Sequence, residues 1–556
     1  MENSIITTRR IHWNYPIVTI IFLAISCFGL FHDTLSAGWR FDDGDHLNFA
    51  ATYAPWQYFF VPEITRLQSG ANLTPWNAFF YDINLSIFGL APAGFYLHQL
   101  IILWLTSIAT YFLLRLWIGW SWALFGALLF LVGAPTAYIA NQVMTGHYAS
   151  GLLFTVIALY AYVRAVQGRH QSFALLSAFF YLLAVTCKEI YVPFIAVLLF
   201  LPVGTMRDRL HYVWPSLFVV IIYLVWRTLV LGRLFGGYNL SGTYDPLQIL
   251  STFGKLPLLL LGENLVGVLA FSIIILLIVN ALYRKQINMV LLVSAAGLLL
   301  FPLIPLVSYP GVTAPDRYLF SIWWALSILL VCILSVQKTQ YGKYAAWGIA
   351  ILLGAVSLQH SREERKAIAN FASVSEKSYE FILNSHKNQV YVAPDFDYYL
   401  GAVLPGAVMA QKALHPLTPE RAQVIPDIEQ LSAIDLTHNS VWRYSTDCRC
   451  VENITSAVPA MVSDYRNRLA LRALSVNLHL DHLKAEWDLG PYDDGEYAIM
   501  INNQGFFILP RSGAQSYPRQ VLDGYIRYKS PEGWITRSES FHLDVTTQSN
   551  WQWSRF

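Results

Sequence analysis

The stretch Ser172–Gly204, SFALLSAFFYLLAVTCKEIYVPFIAVLLFLPVG, decides the architecture, because its reading fixes which side of a membrane every later segment occupies. It is an apolar run broken by the charged pair Lys188-Glu189. As one helix it would measure about 50 Å, too long for a hydrocarbon core about 30 Å thick. A hairpin at Lys188-Glu189 fits better. Working outward, further runs long enough to cross a bilayer fall near 16–34, 94–115, 119–139, 145–163, 211–231, 258–283, 287–309, 318–337 and 342–358. With 171–187 and 189–204 from the hairpin, the chain reads as about eleven crossings.

Composition agrees. The chain is 55% hydrophobic and 13% charged, where soluble domains average about 25% charged. A net charge of +2, from 37 basic and 35 acidic residues, leaves no electrostatic footprint for nucleic acid. The expected fold is a polytopic α-helical membrane domain over 1–358, with a long first exterior loop (36–93), followed by a soluble region over 359–556. Arg9/Arg10, Arg115, Arg164/Arg169, Arg207/Arg209, Arg284/Lys285 and Lys338/Lys343 fall at every second connection, the pattern of cytoplasmic loops. The alternation holds only if Lys188-Glu189 is a hairpin, and an odd number of spans then places the tail outside. No small-residue cleavage site follows Arg9 and Arg10, so the first span is read as retained. Cys27, Cys187 and Cys332 lie in apolar runs, and Cys448 and Cys450 are expected to be free thiols.

The exterior connections hold the ionisable residues that cost most to bury: Asp42, Asp43, Asp45, His46, His147, Lys188, Glu189, Arg227, Arg233, Glu263, Asp316 and Arg317. Such groups at membrane depth face cavities, pair with one another or mark a substrate path. Singly, Lys188-Glu189 and Asp316-Arg317 are equally well read as snorkelling or paired interfacial charges. Together, carboxylates in the first loop and cations in later ones describe one site. Its centre is Trp39-Arg40-Phe41-Asp42-Asp43-Gly44-Asp45-His46, three carboxylates and an imidazole just past the first span. A general base is one use for such carboxylates, and an Asx-type turn capping a helix that begins near Leu47 is the other. Cations beside a carboxylate suit a lipid-linked phosphate whose neighbouring atom is attacked by a deprotonating hydroxyl. The aromatics of the first loop, Trp56, Tyr58, Phe59, Phe60, Trp76, Phe79, Phe80 and Tyr81, fit helices lying in the interface. Trp39 or Trp76 is also placed to stack on a sugar.

The order of these motifs over residues 35–325 resembles the GT-C superfamily of membrane glycosyltransferases. The branch it is most similar to is the protein O-mannosyltransferases, including those bearing tetratricopeptide repeats. The resemblance rests on Phe41-Asp42-Asp43, the segment Phe88–His98 before the second span, Cys187-Lys188-Glu189, and Asp316-Arg317-Tyr318-Leu319-Phe320. It departs at Leu73-Thr74-Pro75-Trp76, where relatives often carry an arginine, and in a tail without tetratricopeptide repeats. The resemblance implies an enzyme that moves a sugar from a polyprenyl-phosphate donor to a hydroxyl acceptor, on a protein, glycan or lipid, at the extracytoplasmic face of a bacterial inner membrane, with inversion. Asp42 is then the catalytic base and Asp43 the second choice. Lys188, Arg227 and Arg317 are candidates to hold the leaving phosphate, Glu189 to orient Lys188, and Arg233, Glu263, His147 and Tyr318 to line the substrate site. Some relatives use a divalent metal, for which Asp43, Asp45 and His46 are candidate ligands. A glycan polymerase or ligase, or a lipid-sugar transporter, is the rival class; against a transporter, the charges gather at one face and no repeat of broken helices is visible.

In the tail, residues 373–411 read as helix, short strand (Gln389–Val392), helix. Strands are expected at Leu483–Leu489, Glu496–Ile501, Phe506–Leu509, Val521–Tyr528 and Trp534–Val545, giving a small β-sandwich. Trp534, Trp551 and Trp553 serve either packing or sugar binding, and packing is the commoner role of so large a ring.

Overall fold

In the computed structural model, described for residues 16–234, 246–262, 264–284, 287–298, 316–337, 339–393, 398–425, 428–481, 484–501, 505–517 and 519–556, every one of the eleven apolar runs contains helix. Arg9, Arg10, Glu263, Lys285, Lys338 and the end of the 287–309 run lie outside the described residues. Among the described residues, six helices are long and apolar enough to cross a membrane: Pro16–Ser36, Pro92–Leu114, Val143–Gly168, Met206–Leu231, Leu265–Tyr283 and Gln340–Glu363. A seventh is counted if the pair Trp120–Leu131 and Ala134–Ala140, bent by 59°, is one span. Shorter apolar helices, among them Gln171–Cys187, Glu189–Phe200 and Leu319–Ser335, fill the bundle. Six or seven spans thus stand on length and composition, against the eleven expected, because several runs form helices under 18 residues.

Large apolar side chains stand outward on the spans, including Ile221, Leu229, Leu265 and Leu276. In water such a surface would be a standing liability, whereas lipid solvates it. The bend at Gly133 has a local cause. A Cβ there would overlap the indole of Trp323, whose Nε1 donates to the Leu129 and Phe130 carbonyls at 3.2 and 3.1 Å, satisfying groups the break exposes. The expected break at Lys188 is present: the helix ends at Cys187 and Lys188 is extended before a short turn at Glu189–Tyr191.

The first long loop folds into four helices, Asp43–Thr52, Pro55–Phe60, Pro62–Gln68 and Pro75–Phe88. Three of them begin with proline, which fixes φ where no backbone N–H is needed. The helix Gln340–Asn384 runs 45 residues, about 68 Å at 1.5 Å per residue, and carries the chain from the last span into the tail. There a mixed sheet, in the order Gln423–Ile425, Gln389–Val392, Ser440–Ser445, Cys450–Asn453, precedes a β-sandwich. One sheet of the sandwich is ordered Asn550–Arg555, Leu474–Asp481, Lys484–Gly490, Ser512–Ser516. The other is built on Glu496–Ile501 and Val521–Lys529. The strands expected from sequence are present, except that Trp534–Val545 divides into Ile535–Arg537 and Phe541–Asp544.

One expectation is corrected. Cys448 and Cys450 are disulfide-bonded, their Cα atoms 5.2 Å apart; Arg449 between them takes a left-handed conformation that turns the chain back on itself. The tail packs against the first loop. The helix Tyr398–Leu414 packs on Asp43–Thr52 so closely that a Cβ on Gly44 would lie 2.3 Å from the Val403 carbonyl oxygen, and one on Gly406 would meet Gly44 backbone. Val403 and Leu404 share the core of the membrane domain.

Candidate active site

Glycine at 44 and 406 lets a tail helix seat directly behind the acidic turn, and the turn itself is held from several sides. Asp43 is fully buried. Its Oδ2 accepts from the Arg40 amide at 2.7 Å, and its Oδ1 accepts from the Tyr81 hydroxyl at 2.5 Å. Ser375 of the long helix donates to the Trp39 carbonyl. Burial pushes the Asp43 carboxyl up to about 7, against the lowering effect of the Tyr81 and Arg40 bonds and of the Arg40 charge. Phe41, with φ +52, turns the chain so that the next residue, Asp42, faces the opposite way. Asp42 is exposed and makes no side-chain capping bond to the helix it precedes. The turn-forming role that competed with catalysis therefore belongs to Asp43, and Asp42 is left to a cavity.

That cavity, ≈ 670 Å³, brings Asp42, Asp45, His46, His147, Lys188 and Arg317 together. These residues come from the first loop, from the ends of apolar helices near 147 and 188, and from the turn Asp316–Tyr318. Lys188, almost buried, stands over the Tyr148 ring at 5.4 Å; Arg317 stands over Tyr318 at 5.6 Å. Tyr318 packs edge-on against Tyr148, behind the lining. Asn77 Nδ2 lies 3.1 Å from His46 Nε2, and donation from the amide leaves the ring proton on Nδ1. Burial lowers the His46 pKa below the ordinary histidine value; the Asp42 charge opposes this and Lys188 adds to it.

Glu189, Arg227 and Arg233 do something else. Glu189 Oε1 accepts from Arg227 Nε at 2.7 Å and from the Leu73 amide at 2.9 Å, while Oε2 accepts from Arg227 Nη2 at 3.2 Å. Arg227 also donates to the Arg233 and Ala71 carbonyls, and Arg233 donates to the Gly70 carbonyl. The Tyr223 hydroxyl reaches Leu73 O at 3.3 Å. The group fastens the segment Gly70–Leu73, whose other side forms the cavity wall at Gly70, Ala71 and Asn72. Arg227, expected to hold a phosphate, spends its guanidinium charge in this bidentate pair, while Glu189, expected to orient Lys188, stays close enough for its charge to act on the Lys188 ammonium. Glu263 is outside the described residues.

Asp43, Asp45 and His46 do not fit a metal as a set. Asp43 is turned into the core by Tyr81 and Arg40, while the other two face the cavity. Among the described residues no three His, Cys, Asp or Glu side chains are grouped to hold an ion. The two tryptophans proposed to stack on sugar also pack: buried Trp39 meets Phe95 edge-on at 4.8 Å and Trp76 meets Phe154 at 5.0 Å. Trp534 lies under Arg472 and beside Tyr528, and Trp551 packs on Phe541.

Residues that the sequence reading missed complete the site. Asn77 could have been found: Asn77, Tyr81 and Asn84 follow at i, i+4 and i+7 and form a buried polar stripe on the helix Pro75–Phe88. The far wall carried no such signal. It comes from the β-sandwich, where Arg519 stands close enough to Asp45 for its charge to oppose the upward push that burial gives the Asp45 carboxyl, alongside His479, Glu486 and Gln515.

No protein-family model matches the sequence, and no curated protein does. Among solved structures, the chain is similar to ArnT from Cupriavidus metallidurans in the apo state, at 14% identity and TM-score 0.43, covering 80% of this chain and 94% of that one. It is similar to the same protein bound to undecaprenyl phosphate, at 15% identity and TM-score 0.44 with the same coverage. It is also similar to an oligosaccharyltransferase from Archaeoglobus fulgidus in complex with zinc and sulfate, at 10% identity and TM-score 0.41, covering 88% of this chain and 72% of that one.

Proposed function

We propose that the chain is a membrane glycosyltransferase that moves a sugar from a polyprenyl-phosphate donor to a hydroxyl acceptor at the extracytoplasmic face. The observation that carries this reading is the meeting of Asp42 with Lys188 and Arg317 in one cavity. Asp42 takes the acceptor proton as the acceptor oxygen bonds to the anomeric carbon. The bond from that carbon to the phosphate oxygen breaks on the opposite side, so the configuration inverts. Its electron pair leaves on the polyprenyl phosphate, whose charge Lys188 and Arg317 offset. His46, neutral and fixed by Asn77, sits beside Asp42 as a hydrogen-bonding group for the sugar or acceptor. The clamp Glu189–Arg227–Arg233 positions the wall and touches neither substrate.

The alternation of basic connections supports an exterior tail in a bacterial inner membrane, as does the Cys448–Cys450 disulfide, a bond that persists in oxidising compartments. The test is incubation of the purified chain, in lipid nanodiscs, with a panel of polyprenyl-phosphate sugars and hydroxyl acceptors. Glycosylated product with an inverted anomeric centre is expected, or slow donor hydrolysis where the acceptor is wrong. Neither product with any donor would overturn the reading.

A further inference from the structure

The cavity has two chemistries. Its floor carries the charged groups of the membrane domain and first loop, whereas much of its roof is the inner face of the β-sandwich: Leu478, Trp487, Ile499, Ile501, Phe507 and Leu509. Leu478 and Trp487 are paired neighbours in one sheet, Ile499 and Phe507 in the other. Inward-facing residues of both sheets lining one cavity means that the sandwich opens, at this end, toward Asp42. An apolar crevice continuous with a polar reaction floor fits a ligand with both characters.

We propose that the crevice between the sheets holds an alkyl chain of the acceptor, so that the acceptor is a hydroxyl-bearing amphiphile whose polar end reaches Asp42. This rests on the transfer reading given above. Three observations select the occupant. The crevice is bounded by side chains, and the strands Leu474–Asp481, Lys484–Gly490 and Glu496–Ile501 that carry most of them have ladder partners on both sides; a peptide lying between the sheets would bury polar groups against side chains without partners, and an alkyl chain has none to satisfy. The cations that suit the donor phosphate, Lys188 and Arg317, belong to the membrane domain, so the donor's own chain has the bilayer as its exit and the sandwich is left to the second substrate. Arg519, Gln515 and His479 lie where the apolar roof meets the charged floor, placed for the polar head of such a molecule.

The experiment uses the full chain in nanodiscs and dodecyl glucoside carrying a terminal diazirine, irradiated and mapped by peptide mass spectrometry. Label is expected on 474–490 and 497–509, displaced by unlabelled dodecyl glucoside and not by methyl glucoside. Ala485 faces the crevice, and Ala485→Trp, by filling it, should lower that label at least about fivefold with an unchanged melting midpoint. Label confined to the membrane helices would overturn the proposal, as would unchanged label in an Ala485→Trp protein that melts like the wild type. If Ala485→Trp does not fold, displacement on the wild type decides. Protection by an apolar serine peptide or by a short polyprenyl phosphate, and not by dodecyl glucoside, would assign the crevice to a peptide or to the donor and sink the alkyl reading. Labelling requires no turnover, so positive label with no transfer to any acceptor would remove the glycosyltransferase reading and leave the alkyl site standing.

Discussion

Asp42 and Lys188 on the cavity side can be set against Asp43 and Glu189 behind it. Each pair is adjacent in sequence and alike in cost of burial, yet one member faces the space where chemistry occurs and the other is consumed by the protein. Asp43 is bonded by Arg40 and Tyr81, and Glu189 by Arg227 and Leu73. In each pair the member bonded within the chain fixes the backbone from which its neighbour projects. What distinguishes them is whether the side chain is turned into bonds within the chain or toward the cavity.

The widest separation between the two sides is expected at Asp42. Asp42→Asn keeps shape and removes the base, and general-base assistance is typically about 10²–10⁴-fold. Turnover should fall by about that factor while binding of the lipid donor persists, measured by transfer and by co-purified donor. Wild-type-like product from Asp42→Asn would make Asp43 the next candidate and erase the contrast.

The second effect is on stability and belongs to the clamp. Arg227 is 2% exposed and Glu189 is its partner. Arg227→Ala leaves Glu189, whose side chain is 24% exposed, without its ion partner, so the cost should fall below the about 3–5 kcal/mol seen when fully buried pairs are broken. A lower melting temperature and proteolytic cutting near Gly70–Leu73 should follow. A variant that melts like the wild type but has lost donor binding would return Arg227 to the substrate side.

The apolar runs, the helical first loop and most strands were legible because periodicity and apolar length are local properties; how many of the runs cross was not, since several form helices under 18 residues. The gathering of Asp42, His147, Lys188 and Arg317 was legible because charge in a membrane has few reasons to exist. The split within Asp42-Asp43 was not, since it depends on Phe41 at φ +52 and on Tyr81, 38 residues from Asp43 in the chain. Nor was the roof: Arg519 approaches Asp45 only because the Tyr398–Leu414 helix seats on Gly44 and brings the tail down with it. The Cys448–Cys450 bond was missed for a related reason, as spacing alone does not reveal a residue in the left-handed region.

A third, smaller effect is expected at Arg317. Arg317→Ala removes a cation from the cavity and leaves the Glu189–Arg227 pair in place, and one charge-assisted hydrogen bond contributes about 1.5–3 kcal/mol. A loss of about ten- to a hundredfold in kcat/KM for the donor is expected, with folded protein retained in the membrane. Unchanged turnover at low donor concentration would take Arg317 out of the site and leave Lys188 to meet the phosphate alone.

The smallest effect on turnover, and the most informative about Asp43, is that of Asp43→Asn. Burial raises the Asp43 carboxyl from 3.8 to about 7 in the folded chain. Over that interval the folded state binds a proton that the unfolded state has released, so the stability linked to Asp43 is complete below about pH 4 and is lost as pH rises through about 7. Asparagine mimics the protonated acid and does not titrate. The wild type should therefore lose thermal stability relative to Asp43→Asn as pH is raised from about 4 to about 8, while the two proteins turn over donor within a few-fold of each other at pH 6, where most of the wild-type carboxyl is already protonated. A melting difference that is flat with pH would mean that the carboxyl is not held near 7. A loss of turnover as large as that of Asp42→Asn would show that both aspartates face the chemistry.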